Sequence, residues 1–543
     1  MKPARTLTYG VLMNAGGLQQ WQLDCLAELE KRGEARAVVR IVKKETGTAP
    51  QGFIQKLRNY PYRNFLFRIL KRFFFRVPAQ EIRRELPAFL AELPQVQVQT
   101  LPQGRYGERF SEADLERVRA HKPDFLIRFG FNILKGGILQ VCPLGILSFH
   151  HGDEVHFRGG PPGFWEIMRR ERKTSVVLQR LGAKLDAGEI LLKRRYRTVL
   201  HSYTHQLQHI LSASADMPAQ WVSMHLHSEY LSSYIPSEVK PVLTFPRNGV
   251  MFSFIFRIFI ERLRFYRSRY FGAEKWDIAL AQTNENSFEP ENLQPLHLYG
   301  KGVYAADPFI YKDLVFYEHY DYRREKGEIH VLRLEKGRIS DKKVLLKNDT
   351  HFAFPFLFEW ENTLYTAPEN AASGGWYAYP ADTEHMSAGA PRLIHPEPLI
   401  DAVLLEHEST WYIFAGLPGE ANEKLHLWYA EHPFGPYTRH PGSPVKTDPG
   451  GSRMAGAIFR KNGRLYRPAQ KSDIYYGEQV LGFEIIRLSR TDYEEKAAFV
   501  LKAPANEAFH DGLHTLNMHS GQSVTDLKKH ASDIVSLAAL IRR

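Results

Sequence analysis

The chain has 543 residues, 43% of them hydrophobic and 13% aromatic, and since a single core stops growing at roughly 250–300 residues, at least two domains are expected. Cys25 and Cys142 are the only cysteines, so no disulfide framework and no thiolate metal site is encoded; reducing, cytoplasmic surroundings are expected and a metal is not. The formal net charge of +12 is concentrated: residues 54–76 hold seven Lys or Arg and no acid, and residues 248–271 hold five Arg against Glu261, with no recognition motif beside either, so nucleic acid is excluded as a partner.

The N-terminus, MKPARTLTYGVLMNAGG, lacks the cationic segment, apolar core and small-residue cleavage site of an export signal, and no uncharged apolar run approaches the roughly 20 residues that span a bilayer. TLTYGVLMN is predicted as a first strand, LQQWQLDCLAELEKRG as a helix closing at Gly33, and ARAVVRIVKK as a second strand. The basic stretch 54–76 interleaves Phe, Ile and Leu with Arg. Two readings stay open for it and for 248–271: helices that bury their rings between domains and extend their arginines to water, or peripheral contact with a membrane. SEADLERVRAHKP reads as a helix opened by Ser111 with Asp114 as its capping-box partner, and DFLIRFG and GILSFHH follow as strands. Strands interleaved with helices imply an α/β domain with a doubly wound, mostly parallel sheet over residues 1–235, with ligands beyond the carboxyl ends of its strands. Residues 236–272 read as a basic aromatic linker helix.

From residue 273 the rhythm changes to short aromatic strands and tight turns. FIYKDLVFYEHYD, FLFEWENTLYTAPEN, LLEHESTWYIFAG and IFRKNGRLYRPAQK each carry a turn pair, at Lys312-Asp313, Glu361-Asn362, Glu408-Ser409 and Asn462-Gly463. A repeat of about fifty residues predicts an all-β five-bladed propeller over 273–522, with WDIALA, GFEIIRLS and GLHTLNMH sharing the closing blade, and a C-terminal helical tail over 523–543. Asp307, His351, Asp401 and Arg453 stand at equivalent places ahead of their turns, at the start of what should be inner strands. With Glu369, Arg467 and Gln470 they are expected to line a funnel that binds glycan, unless they only hold water there.

The segment GILSFHHGDEVHFRGGPPGFWEI followed by LGAKLDAGEILLK resembles the formyltransferase family that uses 10-formyltetrahydrofolate, which includes methionyl-tRNA and sugar N-formyltransferases. The resemblance rests on Gly145–His150 (G-I-x-N-x-H in the family), Arg158-Gly159-Gly160 before Pro161-Pro162, and Leu185-Asp186-Ala187-Gly188, and covers roughly residues 5–200. It implies His150 as the imidazole that assists proton movement, Asp186 as its orienting carboxylate and Ser148, where the family has asparagine, as donor to the oxyanion. It also implies Arg158, Gly159, Gly160 and Gly188 as the cofactor-binding loops and 10-formyltetrahydrofolate as formyl donor. His151 and His156 stand beside this set without an assigned role. The second half resembles the five-bladed propeller region found beside glycosyltransferase domains of the glucosamine inositolphosphorylceramide transferase type, and more distantly arabinanase-type glycosidases; this implies carbohydrate.

Together the halves lead to the expectation of a formyltransferase acting on the amino group of a sugar, free, nucleotide-linked or lipid-linked, in the cytoplasm or at the inner face of a membrane. The alternative is a carbohydrate-processing propeller, glycosidase or glycosyltransferase-like, or a glycan-binding scaffold, beside an inert formyltransferase-like domain.

Overall fold

The computed structural model describes residues 5–44, 62–104, 107–182, 188–271, 273–283, 287–473, 475–504 and 509–530. The chain divides into two compact units, residues 1–263 and 264–543. The division falls inside one long helix, Asn248–Phe271, within the stretch 236–272 expected to link the domains.

Unit 1 is α/β. Its seven-stranded sheet runs Glu189–Arg197, Lys173–Arg180, Ile146–His150, Phe125–Arg128, Leu7–Asn14, Ala35–Lys43, Gln95–Val98. The five strands from Ile146–His150 to Gln95–Val98 pair in parallel; the other two are antiparallel. Neighbouring residues point to opposite faces of a strand, so Val11, Phe125, Ile127 and Leu147 enter one core while Leu12, Leu126 and Ile146 enter another. Both faces are covered, which is why these strands read as near-continuous apolar runs. Helix Gln20–Arg32 lays Cys25, Leu26 and Leu29 on the first face, carries Lys31 and Arg32 in its last turn, and ends at Gly33, whose φ of 68° is the left-handed cap a glycine adopts freely. Helix Glu112–Arg119 lays Leu115 and Val118 on the second face; the Ser111 hydroxyl accepts from the Asp114 N–H at 3.2 Å, as its capping position predicts.

Beyond the end of helix Asn248–Phe271, unit 2 is all-β among the described residues, with five antiparallel sheets. In chain order, sheets two to five begin with Val303–Tyr311, Ala353–Trp360, Ile400–His407 and Gly450–Met454. The first sheet joins both ends of the unit: Glu274–Gln282 pairs with Gln522–His530 along its whole length. Two expectations are corrected here. Residues 523–530 are strand rather than helical tail, because Val524 and Leu527, on opposite faces of the strand, enter two different buried cores, and residues 531–543 lie outside the described residues. GFEIIRLS belongs to the fifth sheet, within Gln479–Leu488, and not to the closing one.

The expected turns explain the hairpins. Glu361 and Asn362, Glu408 and Ser409, and Asn462 and Gly463 all have positive φ at both central positions, the two-residue geometry whose twist matches flanking strands. Three of the opening strands also break register at a non-glycine residue of positive φ: Asp307 (50°), Phe354 (45°) and Asp401 (46°). Such bulges re-aim a side chain, and Asp is among the few residue types that tolerate this backbone.

Candidate functional site

Unit 2 contains a cavity of about 500 Å³ walled by acids and rings. Asp307, Glu318 and Glu369 reach it from three hairpin strands, Arg453 from the fifth sheet and Trp276 from the first; Tyr304, Tyr320 and Tyr476 complete the aromatic wall. Glu318 and Tyr320 are two apart on one strand, hence on one face.

Asp307 and His514 form the first ionic group. His514 lies with Nε2 3.0 Å from Asp307 Oδ1 and Nδ1 3.0 Å from Asp526 Oδ1. The other Asp526 oxygen accepts from the Asp307 N–H at 3.0 Å, which holds the bulge in place. Burial alone would favour neutral imidazole, but Asp526 and Asp307 overcome it and raise the His514 pKa to about 10. Two aspartates and a histidine whose ligand atoms lie within 4.8 Å could in principle hold a metal ion. Both ring nitrogens lie 3.0 Å from a carboxylate oxygen, and with the ring doubly protonated the three side chains form a salt-bridged triad.

Asp401 anchors the second group. Its Oδ2 accepts from Arg453 Nε at 2.6 Å and from Gln470 Nε2 at 2.9 Å, and its N–H donates to Glu369 Oε2 at 3.1 Å. Arg453 also donates to Asn422 and lies over the Tyr476 ring at 5.0 Å. Burial, reinforced by neighbouring carboxylates, pushes the Glu318 and Glu369 carboxyls upward, toward the neutral acid. Burial also raises Asp307, against the pull of His514. His351 Nδ1 accepts from the Gly327 N–H at 2.8 Å, leaving Nε2 to carry the proton 3.7 Å from Glu318 Oε1.

Of the expected funnel residues, Asp307, His351, Glu369 and Arg453 line the cavity, and Asp401 and Gln470 stand directly behind them. Arg467 does not. It is three residues from Gln470 on the same strand and so faces the other way, donating through Nε and Nη2 to Glu495 at 2.8 Å; Lys446 and Tyr493 join the same carboxylate. Glu318, His514, Asp526 and the aromatic wall were not foreseen. A charged Glu318 inside the otherwise apolar LVFYEHYD was the available signal.

In unit 1, Ser148 is buried on Ile146–His150, opposite Gln179. His150 Nε2 lies 3.0 Å from the Phe157 carbonyl oxygen of its own loop. His151 is enclosed, its ring stacked on Phe149 at 5.6 Å and edge-on to Trp21 at 5.0 Å; burial, then His150, lower its pKa to about 3. His156 Nδ1 lies 3.1 Å from Asp153 Oδ1. Arg158 is buried and donates to the Lys240 carbonyl at 2.9 Å, and the Gly159–Gly160 backbone pairs with Leu243, where a Cβ on Gly159 would stand 2.2 Å from the Leu243 oxygen. A Cβ on Gly188 would meet the Arg180 oxygen at 2.6 Å. These contacts account for both glycines without a ligand. Asp186 lies outside the described residues.

Residues 300–523 match the family described as the N-terminal part of glucosamine inositolphosphorylceramide transferase 1. The glucosamine inositolphosphorylceramide transferase 1 of Oryza sativa subsp. japonica is 30% identical over 206 residues, 35% of this chain and 27% of the relative. That of Arabidopsis thaliana is 27% identical over 213 residues, 37% of this chain and 28% of the relative. The chain thus spans little more than a quarter of the length of these curated relatives. Among solved structures, glycinamide ribonucleotide transformylase 1 from Symbiobacterium toebii is similar over 44% of this chain and 95% of its own, at 14% identity and a TM-score of 0.28. The expectation of folate-dependent formyl transfer to an amino sugar is corrected by these relatives: they are named as glucosamine inositolphosphorylceramide transferases, which favours the carbohydrate-processing alternative.

Proposed function

We propose that unit 2 is a five-bladed propeller whose central cavity binds and processes a glycan, and that the chain is a carbohydrate-processing enzyme of glycosyl-transferring or glycoside-cleaving type. The observation that carries this reading is the cavity wall: Glu318 and Glu369, whose carboxyls burial pushes toward the neutral acid, beside the ion-paired Asp307 and Asp401, next to Trp276, Tyr304 and Tyr476. Breaking or making a glycosidic bond needs one group that gives a proton to the departing oxygen and another that takes one from the incoming hydroxyl. Environments that push neighbouring carboxyls toward different protonation states supply such a division. Rings provide flat apolar surface for the C–H face of a sugar, and Arg453 a donor fork for its oxygens. In this reading Glu318 is the proton donor, Asp307 the acceptor, and His351, Glu369, Asp401, Arg453 and Gln470 hold the sugar or its partners. The relatives' name couples glucosamine to an inositolphosphorylceramide lipid, so a lipid-linked glycan is the substrate class to try first.

A glycan-binding scaffold is the second reading, favoured by the saturation of Asp401, whose Oδ2 already accepts from both Arg453 and Gln470. The full chain incubated with free, nucleotide-linked and lipid-linked glycans, with products followed by mass spectrometry, separates the two. Glu318→Gln is expected to lower turnover on the order of 10²–10⁴-fold while glycan binding persists. Binding by the wild type without any product supports the scaffold.

A further inference from the structure

Helix Asn248–Phe271 has two apolar sides, and only one is used. Met251, Phe254 and Ile258 enter the unit 1 core, where Phe254 stacks on Phe164 with centroids 4.2 Å apart, and Glu261 on the same side pairs with Arg170 at 3.0 Å. Phe252, Ile255, Phe256, Phe259, Leu263 and Tyr266 lie in solvent, Phe252 and Phe256 about two-thirds exposed at 65% and 66%. At about 100° per residue these six fall within an arc of about 100°. Arg262 stands beside one margin of that arc and Arg267 beside the other.

A second basic helix, Phe65–Phe73, is clasped to the start of this one. Asn64 Nδ2 donates to the carbonyls of Phe245 and Pro246 at 2.7 and 2.8 Å, Asn248 Nδ2 donates to that of Tyr62 at 2.8 Å, and Asn248 Oδ1 accepts from the Leu66 N–H at 3.1 Å. Phe67 is buried against Phe245, while Phe73 and Phe74 stand 66% and 67% exposed beside Lys71, Arg72 and Arg76. Two exposed aromatic stretches edged by cations, with no carboxylate in residues 62–76, are therefore fixed to one another. No helix among the described residues is long and apolar enough to cross a membrane.

We propose that this face of helix Asn248–Phe271, with the helix Phe65–Phe73 clasped to its start, docks on an anionic lipid surface, with the phenylalanines entering the boundary between headgroups and acyl chains and the arginines and lysines meeting lipid phosphates. Rings and cations in alternation at the edges of one arc fit a bilayer interface, where the apolar body and the charged tip of each side chain find different media a few ångströms apart. A protein partner would need acids at both margins and an apolar groove between them, whereas an anionic bilayer presents both everywhere. The inference goes beyond the glycan chemistry of unit 2 and stands whether or not that chemistry holds.

Co-sedimentation of the full chain with phosphatidylcholine vesicles, with and without phosphatidylglycerol, tests it. Binding is expected only to the anionic vesicles and is expected to weaken with salt. Triple replacement Phe252→Ser, Phe256→Ser, Phe259→Ser is expected to lower partitioning at least tenfold without altering thermal unfolding, since all three rings are exposed. Lys71→Gln with Arg72→Gln is expected to lower it roughly tenfold or more. Equal partitioning of wild type and both variants overturns the proposal, as does absence of binding at low salt. A lipid-free dimer that the serine variant turns into monomer overturns it too, by assigning the face to a second copy of the chain.

Discussion

The histidine-rich loop of unit 1 and the acidic cavity of unit 2 hold similar densities of titratable groups and treat them in opposite ways. In the loop, His150 faces the Phe157 carbonyl, His151 is walled in by rings, and Arg158 turns back to Lys240; each polar group answers to its own neighbourhood. In the cavity, Asp307, Glu369 and Arg453 are anchored from behind and, with Glu318, present themselves to an open volume. A cluster of functional residue types is informative only once its side chains are followed to what they face.

That comparison can be broken most directly at His514. Asp526→Asn removes one charge from a buried ion pair and is expected to cost about 3–5 kcal/mol in urea unfolding of the full chain. It should also weaken a pH dependence, leaving only the share that Asp307 supplies. The folded pKa of His514 is raised to about 10 from 6.5, so its contribution is fully present below pH 6.5 and lost as pH climbs toward 10. Wild-type stability should fall over that window and the variant's should fall less. A wild-type profile that stays flat would mean His514 is neutral and the triad is wrong.

Arg467→Gln sharpens the contrast within unit 2 itself. It leaves Glu495 with Lys446 and the Tyr493 hydroxyl and is expected to cost about 3 kcal/mol, yet to leave glycan affinity unchanged, because Arg467 faces away from the cavity. A tenfold loss of affinity in a folded variant would restore it to the funnel. In unit 1 the smallest effect is at Glu166, whose buried carboxyl is pushed up to about 8 from 4.5, chiefly by burial. The native state keeps this proton while the unfolded chain releases it, so stability should decline as pH rises from 4.5 toward 8. Glu166→Gln should flatten that decline, as read by thermal unfolding in a pH series.

The sequence made the local chemistry of both units legible. Gly33, Ser111 and the turn pairs at 361–362, 408–409 and 462–463 are read correctly because a cap or a two-residue turn is decided by residues adjacent in the chain. Asp307 and Asp401 were found by their repeat position, since each sheet begins alike. What escaped depends on distance along the chain: His514 and Asp526 meet Asp307 across some two hundred residues, through a sheet shared by both ends of the unit. Arg467 was misplaced for a simpler reason. Its odd spacing from Gln470 already assigned the two to opposite faces, and pattern position was followed instead of strand parity.

The pairing of Glu274–Gln282 with Gln522–His530 also sets a timetable for biosynthesis. The earlier strand leaves the ribosome about 240 residues ahead of its partner, roughly 12–50 s at ~5–20 residues per second. During that interval WDIALA has an uncovered edge, open to strand exchange with other nascent chains. Unit 1 has no such dependence: every strand of its sheet is supplied by residue 197. The ordering therefore favours a cell that shields the growing all-β segment with a chaperone, and a recombinant host short of one should yield soluble N-terminal fragments alongside aggregated full-length product.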